Sequence, residues 1–367
     1  MNPANYRVFP LTGHYLAHSQ TPTLSVIITN YNYETFVGAA IESVLSQEPK
    51  VQLIVVDDAS TDGSRDVIQQ YAGRADLVLR EKNGGQGAGF NEGLQYATGD
   101  LIMFLDSDDF LLPDGVKTIL SAYQPGAAIY HFRMKYGDPG GNTRGLFPPI
   151  DQTLASGDIV KRLLTTGEYD STVTSGMVFS REALSQALPM DEDVYRYGAD
   201  GFLCSTVPLY GASLTIDEPM SAYRLHTRQH SQFRKVYAKR ARWRIKHGHD
   251  RRTSMHEHAK RLGLEHGPAV FDEDHFLLRE RIVSLIIEPE LHEIEGDDLA
   301  VLLDRAKRRA QSETQGLTKV LSYVWWSTLQ IAPSNLRLFL IKPAIDADAR
   351  PSWVQNIGRF IKRLTRR

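Results

Sequence analysis

The stretch Leu101–Asp109, which reads LIMFLDSDD, decides the fold class. Its five successive apolar residues predict a buried strand, as in a sheet that helices cover on both faces. Three of the four residues that follow are aspartates. The acidic cluster is therefore predicted to lie at the carboxyl end of a strand, where open α/β sheets bind their ligands.

Three carboxylates in four residues indicate a bound cation, because neighbouring carboxylates repel each other unless a positive charge joins them. A divalent metal with oxygen ligands supplies that charge and keeps part of its shell for substrate phosphates. We therefore expect an enzyme whose substrate is phosphorylated and linked to a nucleotide. The alternative is an acidic loop that caps a helix near Pro113, which accounts for Asp109 and Asp114 but not for the whole cluster.

The length of 367 residues predicts two domains, and the net charge of −2 gives no general attraction to nucleic acid. The single cysteine, Cys204, has no partner for an internal disulfide. The first 21 residues are polar and resemble no signal peptide. No stretch reaches the roughly 18 apolar residues of a spanning helix. We expect a cytoplasmic protein, with attachment to the inner face of a membrane left open.

Strand and helix patterns alternate through the first half, which predicts a doubly wound, mostly parallel sheet. The predicted strands cover 24–29, 51–56, 76–79 and 101–105, with further strands at 127–134 and 214–225. Beyond about residue 232 the pattern is helical, over 233–262, 272–288, 297–312, 317–330 and 352–366. We therefore predict an N-terminal extension (1–22), an α/β catalytic domain (23–232) and a helical C-terminal domain (233–367).

The C-terminal region is rich in positive charge, with eleven Lys or Arg against two acids over 234–261. The last predicted helix places apolar residues on one face, namely Trp353, Ile357, Phe360, Ile361 and Leu364. This pattern suits an anionic membrane surface. Packing on its own domain or on a second copy of the chain is an equal alternative. A nucleic-acid partner is disfavoured because few aromatic residues interleave the basic ones.

A second acidic pair, Asp57-Asp58, closes the predicted strand 51–56. Carboxylates at this place can accept hydrogen bonds from a nucleobase or a ribose hydroxyl. A helix N-cap cluster is the alternative, and it fits Thr61 and Asp62 better than the earlier pair.

The loop Asn83–Asn91 is rich in glycine and precedes a predicted helix. It contains Gly85-x-Gly87 but lacks a well-spaced third glycine and follows the third strand, so it does not fit a dinucleotide fingerprint. We instead predict a loop whose backbone N–H groups approach a ligand at a helix start.

Taken in order, these motifs resemble those of family 2 glycosyltransferases, which have the GT-A fold. The resemblance covers about residues 23–232 and is carried by four segments: Ser25–Asn32 (SVIITNYN), Val56–Asp62 (VDDASTD), Asn83–Gly85 (NGG) and Gly99–Asp109. Several motifs in order are far more specific than any one of them. The resemblance implies an α/β GT-A domain followed by a mostly helical region.

The resemblance also implies site residues. Asp106 and Asp108 would form the D-x-D element that binds Mn²⁺ or Mg²⁺. The residues expected to bind the nucleotide-sugar are Thr29, Asn30, Tyr31, Asp57, Asp58, Gly84, Gly85, Asp106 and Ser107. Many relatives have an arginine where this chain has Phe90, and phenylalanine cannot donate a hydrogen bond to a phosphate or base.

Two downstream segments extend the resemblance. Tyr197–Asp200 is similar to a Gly-Glu-Asp element whose final acid is the catalytic base, which implies that role for Asp200. The alternatives are a favourable charge at a helix start, or Asp191 or Asp193 as the base. Tyr223–His226 resembles a Tyr-Arg-x-His segment, which implies that His226 completes the metal or diphosphate site.

The implied activity is inverting, metal-dependent transfer of a sugar from a nucleotide-diphosphate donor, UDP-sugar favoured, to a hydroxyl of a glycan, lipid-linked or other acceptor, as in polysaccharide biosynthesis. A sugar nucleotidyltransferase is one alternative, but it would place a basic glycine-rich segment where this chain has Thr29–Asn32. The other is a catalytically silent carbohydrate-binding protein of the same fold. The presence of Asp106, Asp108 and Asp200 argues against that alternative.

Overall fold

The structure is a computed structural model that describes residues 21–226, 237–264, 275–313 and 316–345. Two predicted segments, the extension up to residue 20 and the helix 352–366, lie outside this part of the chain. The described residues form two compact units. The first comprises 21–161 and 169–225, and the second comprises 162–168 and the described residues from 226 onward. The chain enters the second unit briefly at 162–168 and again at 226, whereas the boundary predicted from the sequence is 232/233.

The first unit alternates strands and helices. Its strands are β1 (Leu24–Asn30), β2 (Gln52–Asp57), β3 (Asp76–Leu79), β4 (Leu101–Asp106), β5 (Phe110–Leu111), β6 (Ala127–Gly137), β7 (Thr143–Phe147), β8 (Met177–Ser180) and β9 (Ala212–Arg224). The helices interspersed with them are α1 (Val37–Leu45), α2 (Ser64–Gln69), α3 (Gln86–Tyr96), α4 (Gly115–Ser121), α5 (Val160–Thr166, which ends in the second unit), α6 (Arg181–Ala187) and α7 (Ala199–Thr206).

These strands form one sheet in the order β3-β2-β1-β4-β8-β6-β9-β5, with β7 paired to β6. The half from β3 to β4 is entirely parallel. The other half is mixed, since β8 runs antiparallel to both β4 and β6 while β6 and β9 are parallel. The parallel half corresponds to the four strands that the apolar runs predict.

Strands β1, β2 and β4 are buried on both faces because helices cover each side of the sheet, whereas the edge strand β3 is only partly buried. Along β4, Met103 and Leu105 join one core cluster with helices α1 and α4, whereas Ile102 and Phe104 join a second cluster with α3, α6 and α7. This alternation follows from the two-residue period of a strand. It explains why β4 reads as a continuous apolar run and not as alternating apolar and polar residues.

The second unit is helical, with α8 (Tyr237–Arg261), α9 (His275–Ile287), α10 (Leu299–Glu313), α11 (Gly316–Ile331) and α12 (Ser334–Ile345). Its core contains Leu278 and Ile282 of α9, Leu303 of α10, Leu329 of α11 and Ile341 of α12. No described helix is both long and apolar enough to cross a membrane.

Helix α12 has no counterpart among the predicted helices. Pro333 immediately precedes it, where proline is tolerated. Pro343, however, lies within it, and a proline in the interior of a stretch argues against a helix there. The predicted α/β domain followed by a mostly helical region is confirmed.

Candidate active site

Strand register brings the predicted acidic residues to one edge of the sheet. In the central pairings, Thr29 of β1 lies opposite Asp106 of β4, and Asn30 lies opposite Asp57 of β2. Because β2, β1 and β4 are adjacent and parallel, their carboxyl ends meet at this edge. The two acidic pairs therefore flank the end of β1.

The turn that follows β4 is held through its backbone. The N–H of Asp109 donates to the carbonyl of Asp106 at 2.9 Å. Arg224, at the end of β9, donates from Nε to the carbonyl of Asp108 at 2.7 Å and from its backbone N–H to Asp109 Oδ1 at 2.9 Å. The Arg224 guanidinium lies over the rings of Phe36 and Phe110, 5.1 and 4.7 Å from their centroids. These contacts hold the main chain of the turn in a fixed shape.

Three carboxylates converge beside this turn. Burial, together with the charges of Asp108 and Asp200, raises the pKa of Asp106 to about 8. Burial and the charges of Asp108 and Asp106 also raise the pKa of Asp109 well above its usual value. Such a rise in pKa is what burial and the repulsion between neighbouring carboxylates produce.

Asp200 reaches this cluster from the first turn of α7. The preceding Gly198 adopts a φ of 74°, a left-handed conformation that glycine allows at no steric cost. The Asp200 carboxylate is half-buried and accepts a hydrogen bond from the N–H of Gly201 at 2.9 Å. Its competitor Asp191 uses its carboxylate to accept from the N–H groups of Asp193 and Val194 instead.

Gln86 connects the two halves of the cluster. Its amide oxygen accepts from the N–H of Ala199 at 3.0 Å, at the start of α7. Its amide nitrogen donates to Asp106 Oδ1 and to Thr174 Oγ1, both at 3.4 Å. The side chain therefore ties the D-x-D carboxylate to the helix that carries Asp200. We did not predict this role, since the glycines of the loop and not its glutamine drew attention.

The 3₁₀ turn Thr174–Gly176 supports the cluster from a segment for which the sequence indicates no role. The buried hydroxyl of Ser175 accepts from the N–H of Asp106 at 3.1 Å. The carbonyl of Ser175 in turn accepts from Ser221 Oγ of β9 at 2.6 Å. Nothing in the sequence pattern around these residues identifies them, because their place beside β4 arises from the antiparallel insertion of β8.

The Asp57 carboxylate is fully engaged within the protein. It is completely buried and accepts from Arg65 Nε at 2.8 Å, from the Ser60 N–H and from Asn30 Nδ2, both at 3.0 Å. Asn30 itself is 2% exposed. The structure therefore gives Asp57 and Asn30 internal hydrogen bonds and leaves no exposed surface on the Asp57 carboxylate, and their contact with a nucleotide stays a prediction.

Asp58 is the partner of the glycine-rich loop. Its two oxygens accept from the N–H groups of Gly84 and Gly85 at 2.8 and 2.6 Å, and Arg80 NH1 lies 3.2 Å from Oδ1. Burial raises the pKa of Asp58, and these N–H groups with Arg80 and Arg196 oppose that rise. The loop N–H groups thus face the protein's own carboxylate, which differs from the ligand-facing loop predicted from the sequence.

The glycines themselves are required by a close approach of the chain to itself. A Cβ at Gly85 would lie 2.3 Å from the carbonyl oxygen of Arg196, and one at Gly87 would lie 2.7 Å from that of Tyr195. Those carbonyls accept from the N–H groups of Gln86 and Gly87 at 2.9 and 3.1 Å. The first N–H groups of α3 are therefore satisfied by the segment that leads to Asp200.

The structure places the remaining residues considered for contact with the nucleotide-sugar as follows. Thr29 and Tyr31 are half-buried at the end of β1, whereas Ser107 is 1% exposed and its hydroxyl has no hydrogen-bond partner among the described residues. Phe90 is fully buried and stacks on Phe104 with 4.0 Å between centroids. His226 is the first residue of the second unit, and its metal-binding role stays a prediction.

The acidic residues fit a metal that shares its shell with a substrate. Within the described part of the chain, no three His, Cys, Asp or Glu side chains are arranged as a complete metal site. Magnesium and similar ions are commonly held by only one or two carboxylates together with substrate phosphates and water. Asp106 and Asp108 supply hard oxygen donors of this kind, and burial together with the charges of Asp108 and Asp200 raises the pKa of Asp106 at the same place.

The sequence model described as Glycosyl transferase family 2 matches residues 25–187, which include both acidic pairs and the glycine-rich loop. Residues 25–187 thus form a glycosyltransferase family 2 domain. The family 2 match covers β1 to α6 and ends before Asp200, so the candidate base lies just beyond it.

Curated relatives agree with this assignment. An uncharacterized glycosyltransferase of Nostoc sp. is 34% identical over 216 residues, which are 55% of this chain and 65% of the relative. The succinoglycan biosynthesis protein ExoO of Rhizobium meliloti is 27% identical over 223 residues, which are 59% of this chain and 64% of that protein. In both cases the chain spans just under two thirds of the relative's length.

Among solved structures, the mannosyltransferase PcManGT from Pyrobaculum calidifontis, in complex with GDP-Man and Mn²⁺, is similar to this chain with a TM-score of 0.47 and 16% identity. The superposition covers 89% of this chain and 87% of that protein.

Proposed function

We propose that this protein is an inverting glycosyltransferase that uses Mn²⁺ or Mg²⁺ to transfer a sugar from a nucleotide-diphosphate donor to an acceptor hydroxyl. The observation that carries the proposal is the convergence of Asp106, Asp108 and Asp200 at the carboxyl end of β4 in a family 2 domain. It supplies the two groups that such a transfer needs, a cation site and a proton acceptor.

Asp106 and Asp108 would hold the metal. The bound ion would neutralise negative charge on the departing diphosphate, acting as a Lewis acid. The contribution of the chain is to fix the two carboxylates in place. Ser175 anchors the backbone of Asp106, and Arg224 anchors that of Asp108.

Asp200 would take the proton from the acceptor hydroxyl as it attacks the anomeric carbon. Its position at the start of α7, beside Asp106 but on a different element, would put the proton acceptor next to the donor phosphates without making it part of the D-x-D turn. Attack from the side opposite the leaving diphosphate inverts the anomeric centre. Binding both substrates in line replaces a costly encounter with a prepared geometry.

For the donor, a UDP-sugar is our preferred choice. We propose that the nucleotide contacts the half-buried Thr29 and Tyr31, with Ser107 beside the diphosphate. The buried hydrogen bonds of Asn30, Asp57 and Asp58 would shape this pocket, and Gly84 and Gly85 would act through Asp58. His226 would be a further metal or diphosphate ligand. For the acceptor we propose a glycan or a lipid-linked glycan in polysaccharide assembly on the cytoplasmic side, a class to which the name of the succinoglycan relative points.

Asp200→Asn tests the proposal. Release of the nucleoside diphosphate from UDP-sugars with Mn²⁺ would be measured with and without candidate acceptors, and donor binding by calorimetry. We expect the variant to bind donor normally while turnover falls by about 10²–10⁴, the typical contribution of a general base. Asp193→Asn is the matched control, since it removes the same charge from an exposed residue nearby. Near-normal turnover of Asp200→Asn would reject the assignment.

The donor can be identified separately. A thermal-shift screen of nucleoside diphosphates and nucleotide-sugars, with and without Mn²⁺, should show metal-dependent stabilisation by one nucleotide class. Stabilisation by a nucleotide other than UDP would identify that nucleotide as part of the donor. Binding of nucleotide-sugars without any turnover, in the presence of a broad panel of acceptors and with Asp200 intact, would favour the catalytically silent carbohydrate-binding protein.

A further inference from the structure

The hairpin of α11 and α12 exposes an unusual amount of apolar surface. We define the hairpin face as the exposed apolar side chains of these two helices, which are Val320, Leu321, Tyr323, Val324, Ile331, Leu336 and Phe339. The exposed fractions of Ile331 and Phe339 reach 85% and 67%, and those of Val320 and Val324 are 56% and 54%. Contiguous apolar surface of this kind marks a site that binds a partner or a membrane.

The same two helices are also apolar on their inner sides. Leu329 of α11 and Ile341 of α12 are fully buried in the core of the second unit, and Trp325 and Trp326 pack against that core. A helix that is apolar all round is normally covered on all sides. The inner side of the hairpin is covered by its own unit, so its outer side requires a second apolar environment.

Helix α10 of the same unit shows the ordinary pattern for comparison. Its outer positions carry charge, and Asp304 pairs with Lys307 at 3.1 Å and with Arg308 at 2.9 Å. On one core, helix α10 thus has a charged outer face and the hairpin of α11 and α12 has an apolar one. The apolar face belongs to the hairpin and is not a general property of the unit.

The charge of the hairpin indicates what covers it. Residues 316–345 contain Lys319, Arg337 and Lys342 and no acidic residue. Lys319 and Lys342 are exposed and lie next to, or one helical turn from, members of the hairpin face. A two-fold contact between copies would bring this acid-free surface against itself with no carboxylate to pair the lysines. An anionic lipid surface provides both an apolar layer and negative headgroups.

We propose that the hairpin face docks on an anionic lipid bilayer, with its apolar side chains in the interfacial layer and Lys319 and Lys342 at the phosphate level. Helix α11 has 16 residues and is too short to cross, so the hairpin lies in the interface. The docking is independent of the proposed transferase activity. It would place the second unit on the surface where lipid-linked acceptors reside.

The test is co-sedimentation of the full chain with vesicles of phosphatidylcholine alone and of an equal mixture with phosphatidylglycerol. We expect binding to the mixed vesicles and little to phosphatidylcholine alone. The variant with Ile331→Asp and Phe339→Asp should bind the mixed vesicles at least about tenfold more weakly. Ile150→Asp is the matched control, since it adds the same charge at a residue 70% exposed in the first unit, and it should bind as the parent does.

A second variant, with Lys319→Gln and Lys342→Gln, separates the charge effect from the apolar one. Each lysine near an anionic surface contributes a factor of about five, so this variant should lose up to about 25-fold in affinity for mixed vesicles. Circular dichroism melting checks that each variant is folded. Light scattering of the parent without vesicles measures self-association.

Two results would overturn the proposal. One is equal sedimentation of the parent and the folded Ile331→Asp, Phe339→Asp variant with the mixed vesicles. The other is a stable dimer of the parent that this variant abolishes, in the absence of any vesicle binding, because the occupant would then be a second copy. The turnover of Asp200→Asn has no bearing on either result. Failure of the proposed function would therefore be recognised separately from failure of membrane docking.

Discussion

The two acidic pairs at the sheet edge have the same origin but opposite surroundings. Asp57-Asp58 ends β2 and Asp106-x-Asp108 ends β4, on either side of β1. At β2, Arg65 and Arg80 lie 2.8 and 3.2 Å from the carboxylates and backbone N–H groups complete the hydrogen bonds. At β4, burial of Asp106 together with the charges of Asp108 and Asp200 raises its pKa to about 8.

The difference separates an acid pair held by internal ion pairs from one that we propose binds a cation. Carboxylates with built-in guanidinium partners have their charge compensated by the fold. Carboxylates placed against one another retain a demand for positive charge that a ligand can satisfy. Position at the end of a strand alone does not distinguish the two cases.

Removing a carboxylate at β4 should give the largest effect. We expect Asp108→Ala to lose metal-dependent donor binding by at least about a hundredfold, measured by calorimetry with Mn²⁺ present. The variant should keep its thermal stability, because Arg224 holds the turn through the carbonyl of residue 108. Unchanged affinity with metal present would remove Asp108 from the site.

The pH dependence of metal binding sharpens the same contrast. Because the pKa of Asp106 is raised to about 8, a metal ion must displace a proton at lower pH. The affinity for Mg²⁺ should therefore rise by up to about tenfold per pH unit from about pH 6 and level off above about pH 8. Calorimetry across this range measures the change.

The stability of the metal-free protein should change in the opposite sense. A carboxyl whose pKa is raised in the folded state contributes stability that is present at low pH and is lost as the pH rises through its folded pKa of about 8. Asp106→Asn should flatten this loss, which denaturant unfolding at several pH values would show. If the stability of the parent and of Asp106→Asn changed equally with pH, Asp106 would not be the group responsible for the loss.

At β2 the expected effect is on folding and not on metal binding. Asp57→Asn would leave Arg65 uncompensated and set two amide groups against each other at Asn30. Breaking a buried pair costs about 3–5 kcal/mol, and since Arg65 is about one-third exposed we expect a loss of roughly 2 kcal/mol in the free energy of unfolding. Asp66→Asn, at an exposed position of α2, should change it by less than about 0.5 kcal/mol.

The smallest effect should come from Gln86, which links the β4 pair to Asp200. Gln86→Met keeps the length of the side chain but removes its hydrogen bonds to Ala199, Asp106 and Thr174. We expect kcat to fall by about tenfold with little change in KM or melting temperature. Gln69→Met, at an exposed position, serves as the control. A change confined to melting temperature would make Gln86 purely structural.

Much of the parallel half of the sheet is predictable from the sequence. Runs such as Leu101–Leu105 mark buried strands, and the order of strands and acids places Asp106 and Asp108 at the sheet edge. The resemblance also directs attention to Asp200, which the structure places beside them. These predictions succeed because apolar periodicity and acid clusters are local signals.

Contacts between distant segments are not predictable in this way. Gly85 signals that something approaches the backbone closely, but only the structure shows that it is the carbonyl of Arg196. The supporting roles of Thr174 and Ser175 depend on the inserted strand β8, and nothing in their own segment indicates them. The compensation of Asp57 likewise depends on Arg65, which an acid-rich motif does not reveal.

The grip of Arg224 on the main chain of the acidic turn has an evolutionary consequence. Since Arg224 holds the carbonyl of residue 108, a group that every amino acid carries, a descendant gene can exchange this aspartate for another amino acid and still encode a folded product. Residue 108 can therefore change by genetic drift. The function of its side chain can be lost, altered or regained without passing through a misfolded ancestor.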